Sequence, residues 1–150
     1  MPVVQTTFSD TFAAGFAGMI ATGETANRLT RTLEDISGIG FGKAVFRGAG
    51  DHGCVKTPTA GALLGFTIAD HGLVVTSARP ADTYAQGDNV GIENRGVIWV
   101  DSSVAVADGE QVYVTPAGLI TNVSAGNVIA AEWFFQETLT AAGLVRIARR

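Results

Sequence analysis

The stretch Gly96 to Thr121, GVIWVDSSVAVADGEQVYVTPAGLIT, limits the choice of fold more than any other part of the chain. Val97 and Trp99 alternate with Ile98 and Val100. Beyond the Asp108-Gly109 pair, Val112 and Val114 alternate with Gln111, Tyr113 and Thr115. Period-two alternation of β-branched and aromatic residues between turn pairs is the pattern of half-buried antiparallel strands. Asp-Gly supplies the positive φ of a tight turn, and Thr115-Pro116-Ala117-Gly118 makes a second turn before Leu119 and Ile120. The expectation is a β-meander over whose apolar face the other strands close.

Further strands are expected at Lys43–Arg47, Leu63–Ala69, Leu73–Thr76, Asn89–Glu93, Val128–Phe135 and Gly143–Ala148, with Asn94-Arg95-Gly96 as a tight link between two of them. Nineteen glycines and only four prolines suit a small protein with many turns. The fold class read from these features is all-β: a small antiparallel β-barrel or sandwich over residues 38–150. Residues 24–37 are polar and read as a linker or an edge strand, in which Arg28 and Arg31 form exposed ion pairs with Glu24, Glu34 and Asp35.

Residues 1–23 differ in character. Phe8, Phe12, Phe16 and Ile20 recur every four residues with Met19 beside them, one apolar stripe if the segment is a short helix. Gly15 and Gly18 argue against such a helix standing alone, since each costs about 1 kcal/mol relative to Ala. Two readings remain open: a helix lying on its own barrel, or an arm that orders only against another subunit. The stripe must be buried in either case.

Hydrophobic residues make up 47% of the 150, charged residues 16%, and the mean hydropathy is +0.28. A small soluble domain has much surface to cover with polar groups, so such an excess needs a destination. A membrane is not expected, because the longest apolar run, Phe12 to Ala21, falls well short of a span of about 20 residues and contains both glycines. Contact with other subunits is the destination left. A net charge of −4 opposes a nucleic-acid surface, and the single cysteine, Cys54, cannot form an intramolecular disulfide.

Chemistry is sparse. The only histidines lie in two Asp-His-Gly triplets, Asp51-His52-Gly53 and Asp70-His71-Gly72. Two His and two Asp could hold a divalent metal, but both triplets have turn composition, so turns are expected and no metal. Cys54 is expected as a buried structural thiol, since no activating group or oxyanion feature accompanies it. Gly38-Ile39-Gly40-Phe41-Gly42-Lys43 precedes a strand rather than a helix, so it bends the chain rather than holding phosphate. No catalytic residue, cofactor or metal is expected. Trp133, Phe134 and Phe135 put three aromatics in a row; at least one must face outward, where it can anchor an interface.

Several segments together, PVVQTTFSDTFAAGFAGMIA, ISGIGFGKAVFRG, ALLGFTIADHGLV, DTYAQGDNVGIENRGVIWV and DGEQVYVTPAG, resemble the structural cement proteins of tailed-bacteriophage heads. The resemblance runs over nearly the whole chain, although each motif alone is only glycine and valine spacing. It implies a non-enzymatic β-barrel-like domain with an N-terminal arm, in oligomers on the outer surface of the virion capsid that bind the major capsid protein and clamp its capsomers. A homotrimer is the first expectation and a dimer the second, with neither nucleic acid nor membrane as partner. The residues expected at partner contacts are Phe8, Phe12, Phe16, Met19, Ile20, Trp133 and Phe135. The alternative is a ligand- or carrier-type β-barrel binding module.

Overall fold

The computed structural model describes residues 15–58 and 62–150, and among these every regular element is a strand. Eleven strands run in chain order: β1 (Asn27–Leu33), β2 (Ile39–Gly40), β3 (Ala44–Arg47), β4 (Gly53–Val55), β5 (Leu63–Thr67), β6 (Thr83–Tyr84), β7 (Asn89–Ser102), β8 (Gln111–Val114), β9 (Ile120–Thr121), β10 (Val128–Phe135) and β11 (Gly143–Arg149). The fold is all-β, as the alternation pattern requires.

The strand pairings close two circuits that share β7. One circuit runs β1-β4-β3-β5-β7 and returns to β1; the other runs β7-β11-β10-β8-β9 and returns to β7. Closure matters because an open sheet edge is a row of unsatisfied backbone groups. β7 can belong to both circuits because it is 14 residues long. Its first half pairs with β1 and β5, and its second half pairs antiparallel with β11 from Gly96 to Ser102. A separate pair, β2 with β6, covers the first circuit and brings Ile39 and Tyr84 into its core.

The Asn94-Arg95-Gly96 segment, expected as a link between two strands, is instead a bulge within β7. Asn27 pairs with Arg95 and Arg28 with Glu93, which leaves Asn94 as the extra residue. Its side-chain Nδ2 donates to the Leu64 carbonyl at 2.6 Å and so ties the bulge to β5. Residues with turn chemistry serve a bulge equally well, because both need a break in regular pairing and a permissive backbone.

Two cores fill the interior. Val100, Val112, Val114, Val145, Ile147, Trp133 and Phe135 belong to the larger; Leu33, Val45, Cys54, Leu64, Val90 and Ile92 belong to the smaller. β3 and β5 serve both, since Ala44, Phe46 and Phe66 join the larger core while Val45 and Leu64 join the smaller. β5 makes this switch through a second bulge: Val45 pairs with Gly65 and Phe46 with Leu63, so Leu64 is the unpaired extra residue. Strands buried on both faces consume much of the apolar excess that the sequence suggested would go to other subunits.

Other expectations change in detail. Residues 24–37 contribute β1, which is bonded to β7 over most of its length and to β4 at its end. Arg28 pairs with the buried Glu93 instead of an exposed carboxylate, and Arg31 donates to the Asp51 carbonyl. Glu34 accepts from the amides of Ala49 and Gly50 at 2.8 Å, which holds its carboxyl below the usual carboxylate range. Leu73–Thr76 forms no strand. Val74 and Val75 are exposed there, in a loop held by Arg79, which bonds the Val74 carbonyl and pairs with Asp88.

The β5 bulge generates a prediction. Gly65 has φ 146°, and a Cβ there would lie 2.1 Å from the Glu93 carbonyl oxygen. Gly65→Ala should lower unfolding free energy by roughly 2 kcal/mol or more, combining strain and a backbone clash. Gly23→Ala, where nothing lies within 4 Å, should change it by less than about 0.5 kcal/mol. Urea denaturation of the two variants checks the contrast; equal effects would mean the bulge relaxes freely.

Candidate interaction surface

Residues 15–21 form no helix: a turn at Ala17-Gly18, closed by the Met19 amide donating to the Phe16 carbonyl at 3.0 Å, leads into residues 18–21, which lie along β7. The Gly18 amide donates to the Trp99 carbonyl at 2.8 Å, the Trp99 amide to the Met19 carbonyl at 2.9 Å, and the Ala21 amide to the Val97 carbonyl at 2.9 Å. Ile20 forms an antiparallel bridge with Ile98. The segment thus uses backbone groups of β7 that lie between its pairing with β1, which reaches Arg95, and its pairing with β9 at Ser102. The reading in which the whole arm orders only against another subunit is therefore corrected for residues 15–21.

Glycine is required at the crossing point. Gly18 has φ 84° and Gly42 φ 65°. A Cβ on Gly18 would sit 2.8 Å from the Ala69 amide nitrogen, and one on Gly42 would sit 2.7 Å from the Gly18 amide nitrogen. The 38–42 bend expected from sequence exists, and the root of the arm passes over it. Gly15 in turn lies on the Trp99 indole, where a Cβ would be 2.6 Å from the ring. On the exposed side the Arg146 guanidinium lies 5.5 Å from the Trp99 ring centroid, and Arg146 pairs with Glu137.

The expected contact residues scatter over several environments. Phe8 and Phe12 lie outside the described residues. Phe16 is 46% exposed and meets the His71 ring edge-on at 4.9 Å; His71 meets Phe41 at 5.8 Å. Met19 is exposed and Ile20 half-buried. Trp133 and Phe135 are buried in the larger core, where Trp133 packs edge-on against Phe66 at 4.9 Å. The outward aromatic of the trio is Phe134, at 40% exposure.

A bulge in β10 sets this arrangement. Ile129 pairs with Tyr113 and Phe134 with Gln111, so the four intervening β10 residues face only Val112. Glu132 takes φ 67° there, and the Gln111 side-chain amide donates to the Ala130 and Trp133 carbonyls that the bulge leaves unpaired. The outward faces of Val128, Ile129 and Phe134 are left exposed. Ala62, Leu63, Val128, Ile129, Ala131 and Trp133 help line a groove of about 310 Å³ between β5 and β10. The aromatic run announces one outward residue, but only the bulge decides which one.

The residues once considered for chemistry occupy structural positions. Gly72 N–H donates to Asp70 Oδ1 at 2.9 Å, the local turn expected of that triplet. His52 is exposed beside Arg31, while Cys54 is fully buried, its thiol pushed up to about 11 chiefly by burial. Such a thiol is protonated at neutral pH and is a poor nucleophile. Among the described residues no group of three or more His, Cys, Asp or Glu side chains could hold a metal. What this surface offers is apolar area and strand edges.

Residues 4–150 match the family model described as "Structural cement protein (E217 gp24/Pam3 gp6)". Among solved structures, a chain of "The capsid of Myoviridae Phage XM1" has a similar fold, with TM-score 0.74 and 17% identity, covering 100% of this chain and 98% of that one. A looser likeness, TM-score 0.48 and 10% identity over 84% of this chain and 95% of that one, is to "The crystal structure of head fiber gp8.5 N base in bacteriophage phi29". No curated protein matches significantly.

The seat of residues 15–21 can be tested directly. Gly18→Ala should remove protection from amide exchange at Ala21 and Trp99, while β10 and β11 amides keep theirs. Loss of protection throughout would mean that the segment belongs to the cooperative core instead of being laid upon it.

Proposed function

Because the chain belongs to the structural cement protein family, whose members are structural components of phage capsids, we propose that it binds the outside of a phage head and joins neighbouring capsomers of the major capsid protein. The observation that carries this reading is the family match over residues 4–150, nearly the whole chain. The exposed side chains of Val128, Ile129 and Phe134 support it, since aromatic and aliphatic anchors presented on a rigid strand are what a binding surface needs. The arm supplies the second contact, through Phe8, Phe12, Phe16, Met19 and Ile20. Trp133 and Phe135 act from beneath, holding Phe134 outward.

The mechanism is mechanical. Burying one Phe or Ile side chain contributes about 1.5–3 kcal/mol, so a few such anchors give a modest contact. Repeated over many equivalent capsid positions, modest contacts resist shear between capsomers, because detaching one tethered site leaves its neighbours engaged. In this reading the chain acts as a homotrimer at a local threefold position, with a dimer at a twofold position second. The acidic net charge of −4 suits a partner of protein rather than DNA.

Co-sedimentation with expanded heads lacking this protein tests the proposal. The wild-type chain should co-migrate saturably at a fixed ratio to the shell protein. Phe134→Asp and Ile129→Asp should each fold normally and weaken binding at least about tenfold, the loss expected of one desolvated anchor. A chain beginning at Gly15 should retain its β-structure and bind more weakly. Wild-type protein that stays at the top of the gradient would sink the head-binding reading. Undiminished binding by both Asp variants would remove β10 from the interface.

A further inference from the structure

Glu93 is fully buried, on the strand both circuits share. In the ladder it lies between Arg28 of β1 and Phe66 of β5, and directly opposed residues share a face. Its Oε2 accepts from Arg28 Nε at 2.8 Å. Its Oε1 is buried and has no hydrogen-bond partner among the described residues. Gly96 makes room for that oxygen: with φ 138°, a Cβ there would lie 2.2 Å from Oε1. A carboxylate with one oxygen unsatisfied in the interior is costly, and one exposed guanidinium offsets only part of that cost.

We propose that Glu93 makes the junction between β1 and the shared strand pH-sensitive, holding β1 more firmly when the carboxyl carries a proton than when it is ionised. Among the described residues the charged groups around it offer no other compensation. From β1, Arg28 is the sole direct partner, and Arg31 is turned toward Asp51 and His52. Arg95 lies across from Asn27 beyond the bulge. From β11, Arg149 pairs with Glu132 and reaches only the Asn94 carbonyl, at 3.4 Å. β5 contributes Gly65 and Phe66, which carry no charge.

The direction follows from burial. Desolvation raises the Glu93 carboxyl above its ordinary range, with the Arg28 hydrogen bond and charge opposing in part. A carboxyl that binds its proton more tightly in the folded state stabilises the fold most below its unfolded value and loses that contribution as pH rises through its folded value. The window therefore opens at ordinary glutamate pH and extends upward. β1 is also the element that follows the arm's seat on β7 in the chain.

The test compares wild type with Glu93→Gln, an uncharged side chain of the same shape, between pH 4 and 8. Amide exchange at β1, corrected for its intrinsic base catalysis, should accelerate severalfold in wild type as pH rises and stay flat in the Gln variant. β10 amides should not respond in either. If Glu93→Gln does not fold, the Glu93 side-chain carboxyl carbon can be titrated by NMR in the wild-type chain. Parallel exchange profiles, or a carboxyl midpoint at or below that of an ordinary glutamate, would overturn the proposal.

Discussion

Everything in this structure depends on one strand satisfying hydrogen bonds for two closed circuits. Two separate small barrels would each need their own closing strand, and each would have a small core of its own. By giving its first half to β1 and β5 and its second half to β11 and β9, β7 removes most free edges at the cost of a bulge at Asn94. The remaining gap along Val97–Trp99 is covered by residues 18–21. The root of the arm is therefore part of the edge protection, and it is held by backbone bonds that require glycine at Gly18.

That arrangement explains which parts of the fold were legible in the sequence. The strands of the second circuit have one inward face, so Val97 to Val100, Val112 to Val114 and Val145 to Ile147 show alternation or apolar runs bounded by turns. The bulges were not legible. Asn94-Arg95-Gly96 has turn composition, and only the partners across the ladder turn it into an irregularity within a long strand. β1 looks polar because Arg28 and Arg31 project from it, yet Glu93, 65 residues away, gives Arg28 its place. Leu73 to Thr76 has strand composition but no ladder partner; Leu73 packs against the smaller core, while Val74 and Val75 remain in solvent.

Which aromatic of β10 faces outward is less legible in the sequence than the fold, for a related reason. The sequence shows that one of Trp133, Phe134 and Phe135 must point outward, because alternation cannot bury three in a row. Selecting it needs the register, and in β10 the register is broken by four residues between Ile129 and Phe134. Gln111, which stabilises that break through its side-chain amide, looks like an ordinary outward polar residue of β8. Val128 and Ile129 were assigned to a strand without any sign that their faces would stay uncovered. Composition likewise indicated surplus apolar surface but not its division between strands buried on both faces and the exposed side chains of β10.

The division between root and contact also bears on how a cement protein can hold a capsid. A contact made wholly by a loosely attached segment would transmit little force, because the segment would peel from its own subunit before the contact failed. Here the three backbone bonds to Val97 and Trp99 run alongside a strand at the centre of the molecule, and Trp99 is clamped between Gly15 and the Arg146 guanidinium. Force applied at the N-terminal side of residue 15 is delivered along β7, against many ladder bonds loaded together. Force on Phe134 reaches the same strand through β11. With the two contacts proposed above, both surfaces would pull on one strand, and resistance at either would be set by the cooperative strength of the sheet, not by the few contacts at the surface itself.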